Sequence, residues 1–208
     1  IHFTLIPTLD CNSQCKYCYE QSGSRLDRFW DSEAIKKNIN FIKTIIERNI
    51  DRKISLDILG GEVIQKKYIN NFRMLFDELR KLGFRKNVHL ISNGLEIIDF
   101  KEVIEGYQDV IQSIQFTLDG PQSIHDYFRP NRLGKSSFTS IVQVLPELLK
   151  QFIVHIRIHI FDENIQHLEK LLHMISDIKI KYKENLRAYI YPITIKGSNK
   201  NIDTIMIR

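Results

Sequence analysis

All three cysteines of this 208-residue chain lie close together, at Cys11, Cys15 and Cys18. Their spacing, CxxxCxxC, fits three thiolates to three irons of a four-iron cube and leaves the fourth iron without a protein ligand. An open iron is a place for chemistry, because a catalytic metal keeps one coordination position free. The same thiolates could instead hold zinc if a fourth ligand joined them, such as His2 or a histidine distant in sequence. The spacing predicts a metal centre and leaves its metal open.

The composition places this metal centre in an ordinary globular protein. Hydrophobic residues make up 43% and charged residues 26% of the chain, which argues against disorder. No apolar run approaches the length of a membrane span, and we expect no membrane partner. Three clustered cysteines argue against a disulfide framework, so we expect a reducing, cytoplasmic setting. The net charge of +5 is spread along the chain, which favours a solvated surface over a nucleic-acid patch.

Short apolar runs alternate with segments of helical period along the chain, and the runs are rich in the residues that favour strands. Six strands alternating with helices imply βαβ units and a parallel sheet. Six units are too few for the eightfold barrel. We therefore expect an α/β fold, a partial (β/α)6 TIM-like barrel, with a doubly wound sheet as the alternative. The predicted strands are 2–7, 54–59, 87–92, 113–118, 153–160 and 186–191, and the predicted helices are 32–49, 67–82, 98–105, 138–150 and 165–180.

Ligands gather at the carboxyl ends of strands in parallel α/β sheets. The cysteine loop follows the first predicted strand, and Gly60-Gly61-Glu62 ends the second. Two glycines let the backbone approach a ligand closely, and a carboxylate beside them can accept hydrogen bonds from an ammonium group. Ser92 and Asn93 close the third strand. Ordinary polar turns would account for either motif taken alone.

The fourth predicted strand ends in Thr117 and Asp119, and Arg129 follows. A hydroxyl and a carboxylate at a strand end suit ribose hydroxyls or an amino acid group. The planar guanidinium of Arg129 suits a carboxylate. An Asp-Gly-Pro turn is the simpler interpretation of the residues from Asp119 onward.

The fifth predicted strand carries several polar side chains. We expect His155 and His159 to share one face and Arg157 to lie on the other. Alternating polar residues on a half-exposed strand account for the two histidines better than a metal site does.

These motifs, in this order at successive strand ends, resemble those of the radical S-adenosylmethionine (radical SAM) enzymes. The cysteine run resembles their cluster-binding signature, and the second strand end resembles their Gly-Gly-Glu motif. Residues 117–138 look like the subfamily that contains the anaerobic sulfatase maturases and other peptide-modifying enzymes. Val63 stands where related enzymes often have proline, and Thr117 where serine is usual. The resemblance extends over residues 1–191.

The resemblance implies a [4Fe-4S] cluster on Cys11, Cys15 and Cys18, with SAM bound at the open iron. It also implies reductive cleavage of SAM to methionine and a 5′-deoxyadenosyl radical, which abstracts hydrogen from the substrate. In the family, the backbone at the position of Tyr17 helps to hold the adenine, and the Gly-Gly-Glu motif binds the SAM amino group. The cofactor-binding residues that the resemblance implies are Tyr17, Gly60, Gly61, Glu62, Ser92, Asn93, Thr117, Asp119 and Arg129.

For its partners, the resemblance implies a peptide or protein substrate and an electron donor such as flavodoxin or ferredoxin. A small molecule or an RNA is the alternative substrate, and a non-catalytic zinc-binding module is the alternative outside enzymes. Peptide maturases of this type usually carry a cysteine-rich C-terminal extension, and no cysteine follows Cys18. We therefore expect residues 1–193 to form the radical SAM core domain and residues 194–208 to begin a truncated extension or linker.

Overall fold

The computed structural model describes residues 1–18, 20 and 27–193, so the predicted extension at 194–208 lies outside the described residues. Six parallel strands form one sheet, and their order in the sheet is their order in the chain. Right-handed crossovers between successive neighbours place the connecting helices on one face, which curves the sheet into part of a barrel. The predicted partial barrel is confirmed. A doubly wound sheet would reverse its strand order, so that alternative is wrong.

Among the described residues, the structure contains every predicted strand and helix, with shifted ends, and one additional α-helix. That additional helix, α4, begins directly after the Asp-Gly-Pro turn that follows the fourth strand. It was not predicted because the sequence there was interpreted as a turn. The strands are β1 (His2–Leu5), β2 (Ser55–Ile58), β3 (Val88–Ile91), β4 (Ile111–Thr117), β5 (Ile153–Ile160) and β6 (Leu186–Pro192), and the helices are α1 (Ser32–Glu47), α2 (Ile69–Lys81), α3 (Ile97–Glu105), α4 (Gln122–Phe128), α5 (Ser137–Leu148) and α6 (Leu168–Tyr182).

Helix α1 illustrates how the helices are positioned against the sheet. The Asp31 side chain accepts a hydrogen bond of 2.8 Å from the backbone N–H of Ala34 and so caps the first turn. Ile35, Ile39 and Ile42 recur at helical spacing and are buried in the core. Within the described part of the chain, no helix combines the length and the apolar character needed to cross a bilayer.

The two faces of the sheet differ in polarity. Leu56 and Ile58 point to the helix-covered face and are fully buried. Asp57 lies between them on the other face, level with His89 of the next strand. Gln115 continues this polar face on β4. Central parallel strands are usually apolar on both faces, so the alternation shows that the concave side of the partial barrel is polar.

Candidate active site

The three cysteines lie on the loop after β1, beside a cavity of about 410 Å³ that all three line. Cys11 and Cys15 are buried and Cys18 is half-buried. Burial raises the pKa of the Cys15 thiol, and the positive charge of Arg129 opposes that rise. No three His, Cys, Asp or Glu side chains among the described residues are close enough to hold a single metal ion. A four-iron cluster does not require such proximity, because each thiolate binds a different iron.

The two glycines after β2 lie directly against the chain that leads into the cysteine loop. A Cβ atom on Gly60 would lie 2.2 Å from the carbonyl oxygen of Thr8, and one on Gly61 would lie 2.1 Å from that of Asp10. The backbone N–H groups of Gly61 and Glu62 donate to these two oxygens at 3.0 and 2.7 Å. The glycines do permit a close backbone approach, but the approaching group is the cysteine loop. They are needed to seat that loop.

Glu62 is buried on the cavity wall and receives three hydrogen bonds from the protein. Its Oε1 accepts from the Ile64 N–H at 2.7 Å and from the Ser92 hydroxyl at 2.9 Å. Its Oε2 accepts from the Asn93 N–H at 2.5 Å. Burial raises the pKa of Glu62 to about 7, although these hydrogen bonds favour the charged form. A cation that binds beside this carboxyl group would therefore shift it to the carboxylate.

The side chain of Asn93 joins the third strand end to the cysteine loop. Its Nδ2 donates to Asn12 Oδ1 at 2.8 Å and to Ser13 Oγ at 3.0 Å, and it lies 3.7 Å from Cys11 Sγ. Its Oδ1 accepts from the Leu95 N–H at 2.9 Å. Asn93 therefore positions the loop that carries the cysteines. Its predicted contact with the cofactor stays a prediction.

Asp119 is fully buried beyond the end of β4, where it contacts three residues that line the cavity. One of its carboxylate oxygens accepts from the Tyr17 hydroxyl and lies 3.7 Å from Arg129 Nη1. The other accepts from the His159 N–H at 3.0 Å and lies 3.1 Å from His159 Nδ1. Burial alone would raise the pKa of Asp119, but the hydrogen bond from His159 and the nearby charges lower it to about 2. The carboxylate thus anchors the cavity wall.

Two arginines on the cavity wall each bury an Nε atom that has no hydrogen-bond partner among the described residues. Arg129 donates from Nη1 to the Tyr17 hydroxyl at 2.6 Å. Arg157, on β5, lies over the ring of Tyr191 at 4.3 Å. Both arginines line the cavity, and a planar guanidinium beside a cavity suits an anionic ligand group. The prediction that Arg157 faces away from His159 is wrong, because side chains two apart on a strand share a face.

The cavity brings together most of the predicted site residues, whereas Asp119 lies behind its wall. Sequence reasoning did not assign Arg157, His159 or Tyr191 to the site, although the period of a strand predicts that Arg157 and His159 point the same way. Whether each predicted residue binds the cofactor stays a prediction. The predicted residues that line the cavity are Cys11, Cys15, Tyr17, Cys18, Gly60, Gly61, Glu62, Ser92, Asn93, Thr117 and Arg129.

Residues 4–142 match the family described as a 4Fe-4S single cluster domain. The serine-type anaerobic sulfatase-maturating enzyme of Bacteroides thetaiotaomicron is 25% identical over 145 residues, which are 68% of this chain and 34% of that protein. The sporulation killing factor maturation protein SkfB of Bacillus subtilis is 28% identical over 148 residues, 71% of this chain and 33% of that protein. The chain spans about a third of the length of these relatives.

Solved structures share the fold. Native anSMEcpe with bound AdoMet matches with a TM-score of 0.67 at 16% identity, over 92% of this chain and 51% of that one. Native anSMEcpe with bound AdoMet and the Kp18Cys peptide matches with a TM-score of 0.69 at 17% identity, over 97% and 56%. The family match runs from within β1 through β4 and includes the cysteine loop. The chain therefore belongs to the 4Fe-4S single cluster domain family, and its predicted resemblance to the peptide-modifying radical SAM enzymes is confirmed.

Proposed function

We propose that this chain is the SAM-binding core of a radical SAM enzyme that modifies a peptide or protein. The observation that carries the proposal is the convergence of three thiols, the buried carboxyl group of Glu62 and two arginines on one cavity. These groups suit a four-iron cluster together with the amino acid portion of SAM. Two relatives named as maturation proteins support a peptide or protein as the substrate.

When bound, the cluster and SAM would supply the chemistry, which is one-electron reductive cleavage of SAM followed by removal of a hydrogen atom from the substrate. The protein holds and encloses the reactants. Cys11, Cys15 and Cys18 would each bind one iron. Glu62 would accept hydrogen bonds from the SAM ammonium group, and Arg157 would bind its carboxylate.

The proposed chemistry also requires a one-electron donor. A flavodoxin or a ferredoxin would serve, in the reducing compartment that the cysteine content favours. A small molecule or an RNA remains the alternative substrate for the same chemistry.

Anaerobic reconstitution with iron and sulfide tests the cofactor assignment. We expect a brown protein that forms 5′-deoxyadenosine from SAM once it is reduced. Cys15→Ala should abolish that product, whereas Gln14→Ala, an exposed neighbour in the same loop, should retain it. A colourless protein that holds one zinc ion per chain would overturn the proposal and favour the zinc-binding module.

Isotope transfer tests the substrate class separately. Peptides carrying deuterium on side-chain carbons should pass deuterium into 5′-deoxyadenosine when one of them is a substrate. Transfer from labelled RNA or small molecules, with none from any peptide, would keep the radical chemistry and contradict the peptide assignment.

A further inference from the structure

The cysteine loop has an outer face as well as the face that lines the cavity. The loop runs antiparallel to the segment after α4: the Gln14 N–H donates to Pro130 O at 2.7 Å and the Lys16 N–H to Phe128 O at 2.9 Å. Cys15 is buried between Gln14 and Lys16, which are both exposed. The outer face therefore begins one residue away from a predicted cluster ligand.

This outer face combines cations with exposed apolar side chains. Tyr127 is 61% and Leu133 45% exposed. The Lys16 ammonium lies 3.0 Å from the centre of the Tyr127 ring. Arg132 and Lys135 are exposed on the adjoining turn. We call Lys16, Tyr127, Arg132, Leu133 and Lys135 the outer patch.

The outer patch keeps its positive charge. Lys16, Arg132 and Lys135 form no ion pair within the described ranges of the chain. Asp27 is the acidic residue that interacts with Arg132, and this interaction is weak. The pKa of Asp27 is lowered mainly by a hydrogen bond from Lys67 and least by the charge of Arg132. A cationic rim around aromatic and aliphatic side chains is a composition typical of a protein-binding surface.

We propose that the outer patch docks a small acidic electron-carrier protein that reduces the cluster. One electron leaves the reduced flavin or iron–sulfur centre of the carrier and reduces the bound cluster by one electron, and no bond forms or breaks. The cations would attract the acidic carrier, and Tyr127 and Leu133 would supply apolar contact. Docking here brings the carrier against the exposed neighbours of Cys15. The inference rests on the proposed function, because it requires a redox-active cluster.

Stopped-flow reduction of the cluster-loaded protein by flavodoxin hydroquinone, without SAM, tests the proposal. The variant R132E/K135E should be reduced about tenfold to a hundredfold more slowly than the unmodified protein at low ionic strength. Salt should shrink this difference, because it screens charges at the surface. Lys16 is left unchanged because it adjoins a cluster ligand. The matched control K36E/K37E reverses two exposed charges on α1 and should leave the rate unchanged.

Two further measurements separate docking from damage to the cluster. Reduced methyl viologen, a small cation that needs no docking surface, should reduce the variant and the unmodified protein at similar rates. Calorimetric titration with oxidised flavodoxin should show weaker binding to R132E/K135E and to Tyr127→Ala. Unchanged flavodoxin affinity and reduction rate would overturn the docking site. Formation of 5′-deoxyadenosine with methyl viologen as the reductant reports on the proposed function independently.

Discussion

The site has two halves that differ in how their polar groups are used. In the loop half, built on β1, β2 and β3, the protein makes three hydrogen bonds to Glu62 and uses both the oxygen and the nitrogen of the Asn93 side chain, and Glu62 can accept from one further donor. In the arginine half, built on β4 and β5, Arg129 and Arg157 line the cavity, and each has a buried Nε with no hydrogen-bond partner in the part of the chain that the structure describes. Buried polar groups are normally satisfied. The contrast indicates that the loop half mainly fixes the position of the cysteines and that the arginine half mainly offers positive charge to a ligand.

The largest effect is expected from Gly61→Ala in the loop half. The new Cβ atom would lie 2.1 Å from the carbonyl oxygen of Asp10 and would displace the chain before the cysteines. We expect a loss of about 3 kcal/mol in the free energy of unfolding, together with loss of bound iron. Chemical denaturation and iron analysis measure the two effects.

Gly106→Ala is the matched control, because Gly106 has a φ of −62° and its Cβ would meet nothing closer than 3.3 Å. A Gly61→Ala protein that binds iron as well as the control does would contradict the role assigned to this close contact.

Asn93→Ala should affect the cluster without unfolding the chain. The substitution removes the donor to Asn12 and Ser13 and the contact with Cys11 Sγ. Loss of an outer partner of a metal ligand typically costs tenfold to a hundredfold in affinity, so we expect faster iron loss to a chelator by up to about a hundredfold. We also expect a lower cluster potential, since hydrogen bonds to the sulfurs help to set it. An EPR-monitored redox titration of Asn93→Ala and Asn93→Ser tests this, and potentials equal to that of the unmodified protein would argue against the contact.

Arg157→Gln should weaken SAM binding and leave the iron content unchanged, in contrast to Asn93→Ala, which should weaken the retention of iron. Removal of a charged hydrogen-bond donor to a carboxylate costs about 2 kcal/mol, which is roughly thirtyfold in the dissociation constant. Equilibrium binding of SAM to the cluster-loaded protein measures it. Arg187→Gln, which removes an exposed guanidinium from β6, is the matched control. Equal SAM affinity in both variants would refute the division of the site into two halves.

The loop half was the more predictable half from the sequence. Glycines and a carboxylate at strand ends are local signals, and parallel strands bring their carboxyl ends to one edge. The order of strands and helices was predictable as well, because the period of the apolar residues is also a local signal. What the motifs do not reveal is that Gly61 faces a backbone carbonyl of the cysteine loop, since that contact joins two separate strand ends.

The arginine half was harder to predict from the sequence, because it is formed by contacts between distant parts of the chain. Asp119 accepts a hydrogen bond from the hydroxyl of Tyr17, which is 102 positions away in the sequence. The position of Asp119 behind the cavity wall therefore depends on tertiary packing, which the local motif does not predict. Helix α4, hidden behind a turn motif, carries the chain to Arg129. Arg157 is different, because the alternation of side chains along a strand predicts its face.

The smallest effect is expected from pH, through the carboxyl group that the loop half presents to the ligand. Burial raises the pKa of Glu62 to about 7, so the free protein is largely protonated there at pH 6 and largely ionised at pH 8. A bound ammonium group favours the carboxylate, which means that SAM affinity is full above pH 7 and falls as the pH drops through that value, by about tenfold between pH 8 and pH 6. Calorimetry at pH 7 in buffers of different ionisation enthalpy should detect proton release on binding. Glu62→Gln should remove both signals, whereas Glu102→Gln, exposed on α3, should keep them. If the pH dependence persists in Glu62→Gln, another group causes it, and Glu62 serves only to seat the loop.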